Sequence, residues 1–404
     1  MVRIWGTLLA GVFAALAFVG IASQTEAATA LKVCGSGNGH GVGLSQYGAY
    51  GRAKAGQSYA RIIKSYYRGV RLKKFASNPT VGVLLGRKSL SKSHKVIVRS
   101  GSRAKLINLK TKGSVTLGPG VYAVRYLKDR NLYRVVNVSR KKAVGAYRGP
   151  LLFQRVSGSS LKYGKRLYRG TFLVRTTKSR TLLVNRLRME DYLRGVVPSE
   201  MPSSWHPQAL NSQAVAARSY ARSTMRSGAF GFYADTRDQV YGGRSAETAA
   251  TNRAVSSTAR VHAVYDGKPI TAFFHSSGGG YTESSAYVFS ASPYLKAIRD
   301  VDGLGRPFEK RVNSPWTNWR GTLDADGSRK LGVGNLRRVR VLSRSRSGRA
   351  LKIEVTGANG KKTVAGQYDI RYALKTNGLN RADGSRYPAG ILPSAKVRFG
   401  SACS

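Results

Sequence analysis

The chain has 404 residues and carries 69 Lys and Arg against 18 Asp and Glu, a formal charge of +51 that no fold requires and that strains the compact state. So basic a chain calls for a polyanionic partner, unless the charge is only a solvated surface. Nucleic acid is set aside as that partner, because the N-terminus has an export signature and the aromatic residues are dispersed rather than gathered into a base-stacking platform.

Met1, Val2 and Arg3 lead into an apolar stretch from Ile4 to Ile21, followed by the small and polar segment ASQTEAATALK. This is the order of a secretory signal peptide. Cleavage after Ala27 or Ala30 suits the small-residue rule, while the length of the apolar run also allows it to stay as a single anchor. No later stretch is long and apolar enough to span a membrane, so the chain after residue 30 is expected to be soluble and extracytoplasmic. Outside a bacterial membrane the available polyanions are anionic lipids and phosphate- or carboxylate-bearing wall polymers. Only two cysteines occur, Cys34 and Cys403, at opposite ends of the mature chain. In an exported protein an isolated pair is expected to be a disulfide rather than a metal site, with two free thiols as the alternative.

Between residues 49 and 67, Ala53, Tyr59, Ile62, Ile63 and Tyr66 keep a helical period, which predicts a short helix pair broken at Gly56. From Thr80 to Asn185 the texture changes to short alternating runs such as VGVLLG, HKVIVRS, GVYAVRYL, LYRVVNV and GTFLVRTT, read as strands of a β-rich lobe. The strongest helix signal begins at Pro207 and runs to Gly228, with Leu210, Ala214, Ala217, Ala221 and Met225 as a small-residue apolar face against which something must pack closely. A second helix is predicted from Ala246 to Ala259, and the remainder returns to strands and hairpins.

Glutamate is scarce, seven in the whole chain, and Glu200 is held between Pro198 and Pro202 just ahead of the long helix. Two flanking prolines stiffen the backbone, so the carboxylate is aimed. Apolar neighbours Val197, Met201 and Trp205 would raise its pKa toward that of a general acid. The alternative is a helix-start acid that complements the dipole, which would lower the pKa instead.

The segment GVVPSEMP…W…QALNSQAVAARSYA resembles the signature of the stage II sporulation protein D and amidase-enhancer family of cell-wall proteins. Further matching blocks are YRGTFLVRTTKSRTLLVNRLRMEDYLRG, DTRDQVYGG at 235–243, VYDGKPITAFFHSSGGGYTES at 264–284 and GHGVGLSQYGAYGRAKAGQSYARIIKSYYRGV at 39–70. The resemblance implies an α+β fold, β-rich with a few helices around a substrate cleft. Family members that are enzymes are lytic transglycosylases, which cut the bond between N-acetylmuramic acid and N-acetylglucosamine without water. A hydrolytic glycosidase needs two carboxyl groups. Here the sugar's own hydroxymethyl group closes onto the anomeric carbon, so one glutamate can serve as acid and then as base; the family motif puts it at Glu200. The amidase-enhancer branch implies the rival, a non-catalytic module that binds glycan and activates a separate amidase.

Further substrate contacts are expected from His275, Ser276 and Ser277, which precede a glycine run whose backbone can approach a ligand. Gln213, Arg218 and Tyr220 on the long helix, Gln239 and Tyr241 in the DTRDQVYGG loop, and His40 and Gln46 in the GHGVG block complete the candidate set. Some relatives hold a structural zinc near the HSSGGG position; this chain has serines there and both cysteines are distant, so no metal and no cofactor is expected. The GHGVG block closes the domain in the relatives but opens the mature chain here, as in a circular permutation, with Cys34 and Cys403 tying the new termini. The expected organisation is a signal or anchor at 1–30, the relocated block at 31–75, a β-rich lobe at 76–187, a catalytic core at 188–300 and a β-rich part at 301–404. The expected partners are peptidoglycan glycan strands, anionic cell-wall polymers and a cell-wall amidase, with no nucleic acid.

Overall fold

The computed structural model describes residues 30–403 except 92, 157–159 and 325–330. The expected signal or anchor segment therefore lies outside the described residues. Among them, no helix is long and apolar enough to cross a membrane. The fold is α+β, with six α-helices among the described residues and strands in several sheets.

Alternation of apolar and basic residues turns most of residues 80–188 into two sheets packed on one core. The seven-stranded sheet runs in the order Phe232–Tyr233, Thr80–Ser89, Arg180–Arg188, Thr171–Thr176, Leu151–Arg155, Ala104–Asn108, Ser114–Leu117. The six-stranded sheet runs Lys142–Tyr147, Leu132–Asn137, Gly120–Leu127, Val96–Ser100, Leu161–Tyr163, Arg166–Tyr168. Val81, Val83, Phe153 and Phe172 of the first meet Val98, Val124 and Val135 of the second. Basic side chains at alternate positions stay outside, as a half-buried sheet requires.

Arg180–Arg188 leads directly into α3 (Met189–Glu200), a helix that periodicity did not reveal because it contains Gly195 and an interior Pro198. The long helix α4 (Pro207–Thr224) starts at the expected proline, with His206 as N-cap accepting the Gln208 N–H through Nδ1 at 3.2 Å. It ends four residues before Gly228. It is also buried nearly all round rather than on one face, because its alanines and serines let neighbours approach from several sides. The neighbours are α1 (Gln46–Lys54), α2 (Tyr59–Tyr66), α3, α5 (Ala249–Ser257) and the strand Val261–Tyr265. The helix expected from Ala246 is confined to α5, since Arg244–Ala246 forms a 3-10 turn and Thr248 caps the helix. Helices α1 and α2 are capped by Ser45 and Ser58 and separated at Gly56, whose φ is +80°.

A third core lies under the sheet Arg386–Tyr387, Lys375–Arg381, Trp319–Leu323, Lys32–Gly35, Val397–Phe399, and it includes Trp319, Ile353, Leu379 and Ile370 of α6 (Gln367–Ala373). The N-terminal strand thus pairs antiparallel with the C-terminal one, Cys34 opposite Arg398. Such proximity of the two ends is what a permuted chain requires. A disulfide joins Cys34 to Cys403 with Cα atoms 5.4 Å apart and encloses a loop spanning 369 positions. On the loop-entropy model it contributes about 6 kcal/mol, less any native strain. Peptide mapping without reductant should find this one intramolecular bridge, and the double variant Cys34→Ser/Cys403→Ser should unfold at a clearly lower temperature. Two alkylatable thiols in protein from an oxidising compartment would contradict the assignment.

Candidate functional site

Glu200 ends α3, so it is a helix-end residue and not the first-turn acid of α4 considered above. This reverses the sign of the dipole effect, because a carboxylate at the negative end of a helix is disfavoured. Burial acts in the same direction and pushes its pKa from 4.5 up to about 7, opposed by a hydrogen bond from a backbone amide. That amide is the Val240 N–H, which donates to Oε1 at 2.7 Å. The other oxygen has no hydrogen-bond partner among the described residues.

The loop that supplies the amide is clamped to α3. Gly242 N–H donates to the Gly195 carbonyl at 3.0 Å, and a Cβ on Gly195 would lie 2.6 Å from the Tyr241 ring. Gly195 is thus required for the close approach. On the other side Gln46 Nε2 donates to the Glu200 carbonyl at 3.0 Å and to Gln213 Oε1 at 3.3 Å. This bond occupies one of the carbonyls that a helix end leaves open.

Glu200 opens into a cleft of about 470 Å³. Tyr220 and Asp238 line it on one side, His40, His275, Phe273 and Phe289 on another, and Tyr368, Arg371 and Tyr372 of α6 form a third wall. Phe289 stacks on Phe273 with centroids 4.3 Å apart, and Tyr368 on Tyr372 at the same spacing. Phe289, Tyr368 and Tyr372 remain 42%, 57% and 47% exposed, so flat apolar faces are offered at the mouth. Asp238 is the second carboxylate of the cleft, but Arg226 grips both its oxygens, at 2.7 and 2.8 Å.

Both histidines are neutral. Burial, helped by the charge of Arg371, lowers His40 to about 3. Burial and the neighbouring His40 hold His275 well below its usual value. Their hydrogen bonds assign the tautomers. His40 Nδ1 accepts the Val42 N–H at 3.0 Å, which leaves its proton on Nε2. His275 Nδ1 lies 3.1 Å from the Val42 carbonyl and must donate to it, which leaves Nε2 as a buried acceptor with no partner.

Of the residues singled out from the sequence, Glu200, Tyr220, His40 and His275 line the cleft. The others stand behind it. Arg218 is fully buried, forked onto Glu190 at 2.7 and 3.1 Å and bonded to the Val255 and Val261 carbonyls, so its donors are spent inside the protein. Tyr241 donates to Asn185 at 2.8 Å, and Gln239 accepts from Tyr192 at 3.2 Å. Ser277 is buried against Glu309, and the Ser276 carbonyl receives the Tyr47 N–H at 3.0 Å. Gln46 and Gln213 brace the Glu200 backbone. The glycine run is approached closely, as expected, but by the chain itself: a Cβ on Gly279 would meet Ser36 at 2.7 Å and one on Gly280 would meet Pro307 at 2.9 Å.

Sequence reading missed Asp238, Phe273, Phe289 and the whole wall from α6. That wall is set by Glu283, fully buried, which accepts from Gln367 at 2.7 Å and from Ser345 and Ser347 at 2.5 and 2.7 Å. Arg371 Nε donates to the Leu392 carbonyl at 3.0 Å. The FFHSSGGG block carries Phe273 openly, but α6 has only seven residues and no period long enough to read.

Residues 177–265, which include Glu200, Val240 and α4, match the family model described as Stage II sporulation protein. The amidase enhancer of Bacillus subtilis is 39% identical over 156 residues, 35% of this chain and 22% of its own length. Stage II sporulation protein D of the same organism is 33% identical over 223 residues, 50% of this chain and 60% of its own. Over these segments the chain is similar to the stage II sporulation protein D and amidase-enhancer family. An uncharacterized protein of Brachyspira hyodysenteriae is 35% identical over 180 residues, 43% of this chain and 47% of its own length. The chain thus spans less than two thirds of each of these relatives. The family match ends before His275 and α6, so most of the cleft lining comes from residues outside it.

Because folding raises the Glu200 pKa above its unfolded value, the associated stability is present below about 4.5 and lost as pH rises through about 7. Glu200→Gln should therefore unfold at a higher temperature than wild type at pH 8 and at nearly the same temperature at pH 4; equal midpoints at both would show that the carboxyl is not desolvated. Arg218→Met, which leaves Glu190 without its buried partner, should lose about 3 kcal/mol of stability in chemical denaturation.

Proposed function

We infer that the protein acts at the bacterial cell wall as a lytic transglycosylase, cutting the N-acetylmuramic acid to N-acetylglucosamine bond of peptidoglycan with Glu200 as acid and then base. The observation that carries this reading is the Glu200 carboxyl itself, pushed to about 7, with one oxygen held by a backbone amide and the other open to the cleft. A group so poised is protonated in a useful fraction near neutrality and can also accept a proton back.

In the first step the carboxyl proton passes to the glycosidic oxygen as the C1–O bond breaks. In the second the C6 hydroxyl of the muramic ring attacks C1 and its proton returns to the carboxylate, which gives a 1,6-anhydro end with no water consumed. The grip of Arg226 on Asp238 favours this single-carboxylate course, since a second free carboxyl would be needed to activate water or attack directly. Phe289 and the Tyr368–Tyr372 pair suit the flat faces of sugar rings.

The relative named amidase enhancer supports a second reading, in which the same cleft holds glycan while a separate amidase is activated. Digestion of purified, peptide-stripped glycan strands separates the two. Wild type should release anhydro-muramic ends, and Glu200→Gln should bind glycan but turn over at least about a hundredfold more slowly. Glu200→Asp should also be poor, because the shorter arm misplaces the proton. Turnover should fall as pH rises through about 7, with no limb from either histidine near pH 6. Equal release by wild type and Glu200→Gln would exclude Glu200 as the acid. Stimulation of an amidase by both, without anhydro ends, would establish the second reading.

A further inference from the structure

The β-rich lobe carries a disproportionate share of the charge. Residues 80–176 hold 23 Lys and Arg and one acid, Asp129. That acid sits in the 3-10 turn Lys128–Arg130 and enters no ion pair among the described residues.

The outer face of the six-stranded sheet concentrates these cations in a row. Arg125 lies directly opposite Arg134 in the antiparallel pair Gly120–Leu127 with Leu132–Asn137. On the other side Val96 faces Val124, so Lys95 continues the row beside Arg125. All three are exposed and none takes part in an ion pair among the described residues. Like charges placed directly opposite on a sheet destabilise it, and no ion pair among the described residues relieves the repulsion here.

The row borders two grooves that meet at Lys95. One, of about 410 Å³, is lined by Lys95, Arg125, Arg134 and Lys141 over a floor of Ala123, Val136 and Val138. The other, of about 490 Å³, continues past Arg99 to Lys88 and Tyr163. Its shape selects the partner. Adjacent strands lie about 4.8 Å apart, so a row of three side chains spans the width of one extended polymer, not of a duplex or a lipid surface. The first groove contains no aromatic ring on which a nucleic-acid base could stack. Its floor is apolar, which suits short carbon spacers, and its arginines suit phosphate oxygens.

We propose that this groove on the outer face of the β-rich lobe is a docking site for a single extended phosphodiester polymer of the cell-wall type, held by Lys95, Arg125, Arg134 and Lys141. It is remote in sequence from Glu200 and independent of whether Glu200 is catalytic.

Labelled poly(glycerol phosphate) binding to the oxidised full chain, titrated at several salt concentrations, tests it. Lys95→Gln/Arg125→Gln/Arg134→Gln should lose at least about tenfold in affinity at low salt and reduce the slope of log affinity against log salt by about two. The control variant Arg61→Gln/Lys64→Gln/Arg68→Gln removes the same charge from exposed positions on and beside α2 and should change affinity less than about twofold. Glu200→Gln should bind the polymer as wild type does. Both triple variants lie on the surface, and circular dichroism of each should match wild type. Equal losses in the two triple variants would reduce the effect to net charge and overturn the site. Tighter wild-type binding to single-stranded DNA, or to vesicles of anionic lipid, than to the polymer would overturn the choice of partner.

Discussion

The segment from Gly37 to Tyr47 runs alongside residues 273–283, joined by backbone bonds from end to end, and the cleft hangs from this seam. Asn38 and Ser277 bridge, Leu44 and Phe274 pair in parallel, Val42 bridges to Glu283, and Tyr47 N–H reaches the Ser276 carbonyl. Both histidines are oriented by Val42, one by its amide and one by its carbonyl. Gln46, one residue beyond the seam's paired strand, braces the carbonyl of Glu200. The seam tolerates little bulk: Gly43 has φ +73°, and a Cβ there would sit 2.1 Å from the Phe273 carbonyl. Buried cations close its far side, Arg349 on the Gly278 and Tyr281 carbonyls and Lys396 on that of Gly279. Burial lowers Arg349 to about 10 and Lys396 to about 8, which measures how dry this side is.

The site combines two opposed demands on polar groups. Glu200 must be desolvated enough to keep its proton and still be reached by a ligand, and its place at a helix end facing an open cleft meets both. Around it, groups that would perturb it are already committed. Asp238 is bound to Arg226, and Glu190 to Arg218. The histidines stay uncharged because burial and the arginines Arg371 and Arg349 act together on them. What stays without a partner among these groups is one oxygen of Glu200 and the buried Nε2 of His275.

The sequence made the α+β class legible through its alternating runs between residues 80 and 185 and through the proline-led helix at 207. Glu200 stood out by scarcity and by its flanking prolines. Its surroundings were harder to read. An interior proline hid α3, so the polarity of the helix end at Glu200 was invisible. Polar residues on α4 looked like ligands for substrate, whereas burial on every side turned Arg218 and Gln213 into internal struts. The α6 wall comes from a seven-residue helix far along the chain, and only tertiary contacts through Glu283 bring it to the cleft. Long-range pairing of this kind leaves no local periodicity to detect.

One consequence concerns the order in which the chain is made. The strand Lys32–Gly35 lies between Val397–Phe399 and Trp319–Leu323, so the first of the described strands has both its neighbours among much later ones. The same holds for the cleft, where His40 faces a wall contributed by Arg371 and Tyr372. A growing polypeptide can form α3 and α4 and set Glu200 at the end of its helix, yet the cleft lacks its third wall until α6 has been made. Such late closure of distant contacts is slow. The cleft around Glu200 is therefore walled on all its sides only once α6 has docked, and topology itself acts as the timer for the site.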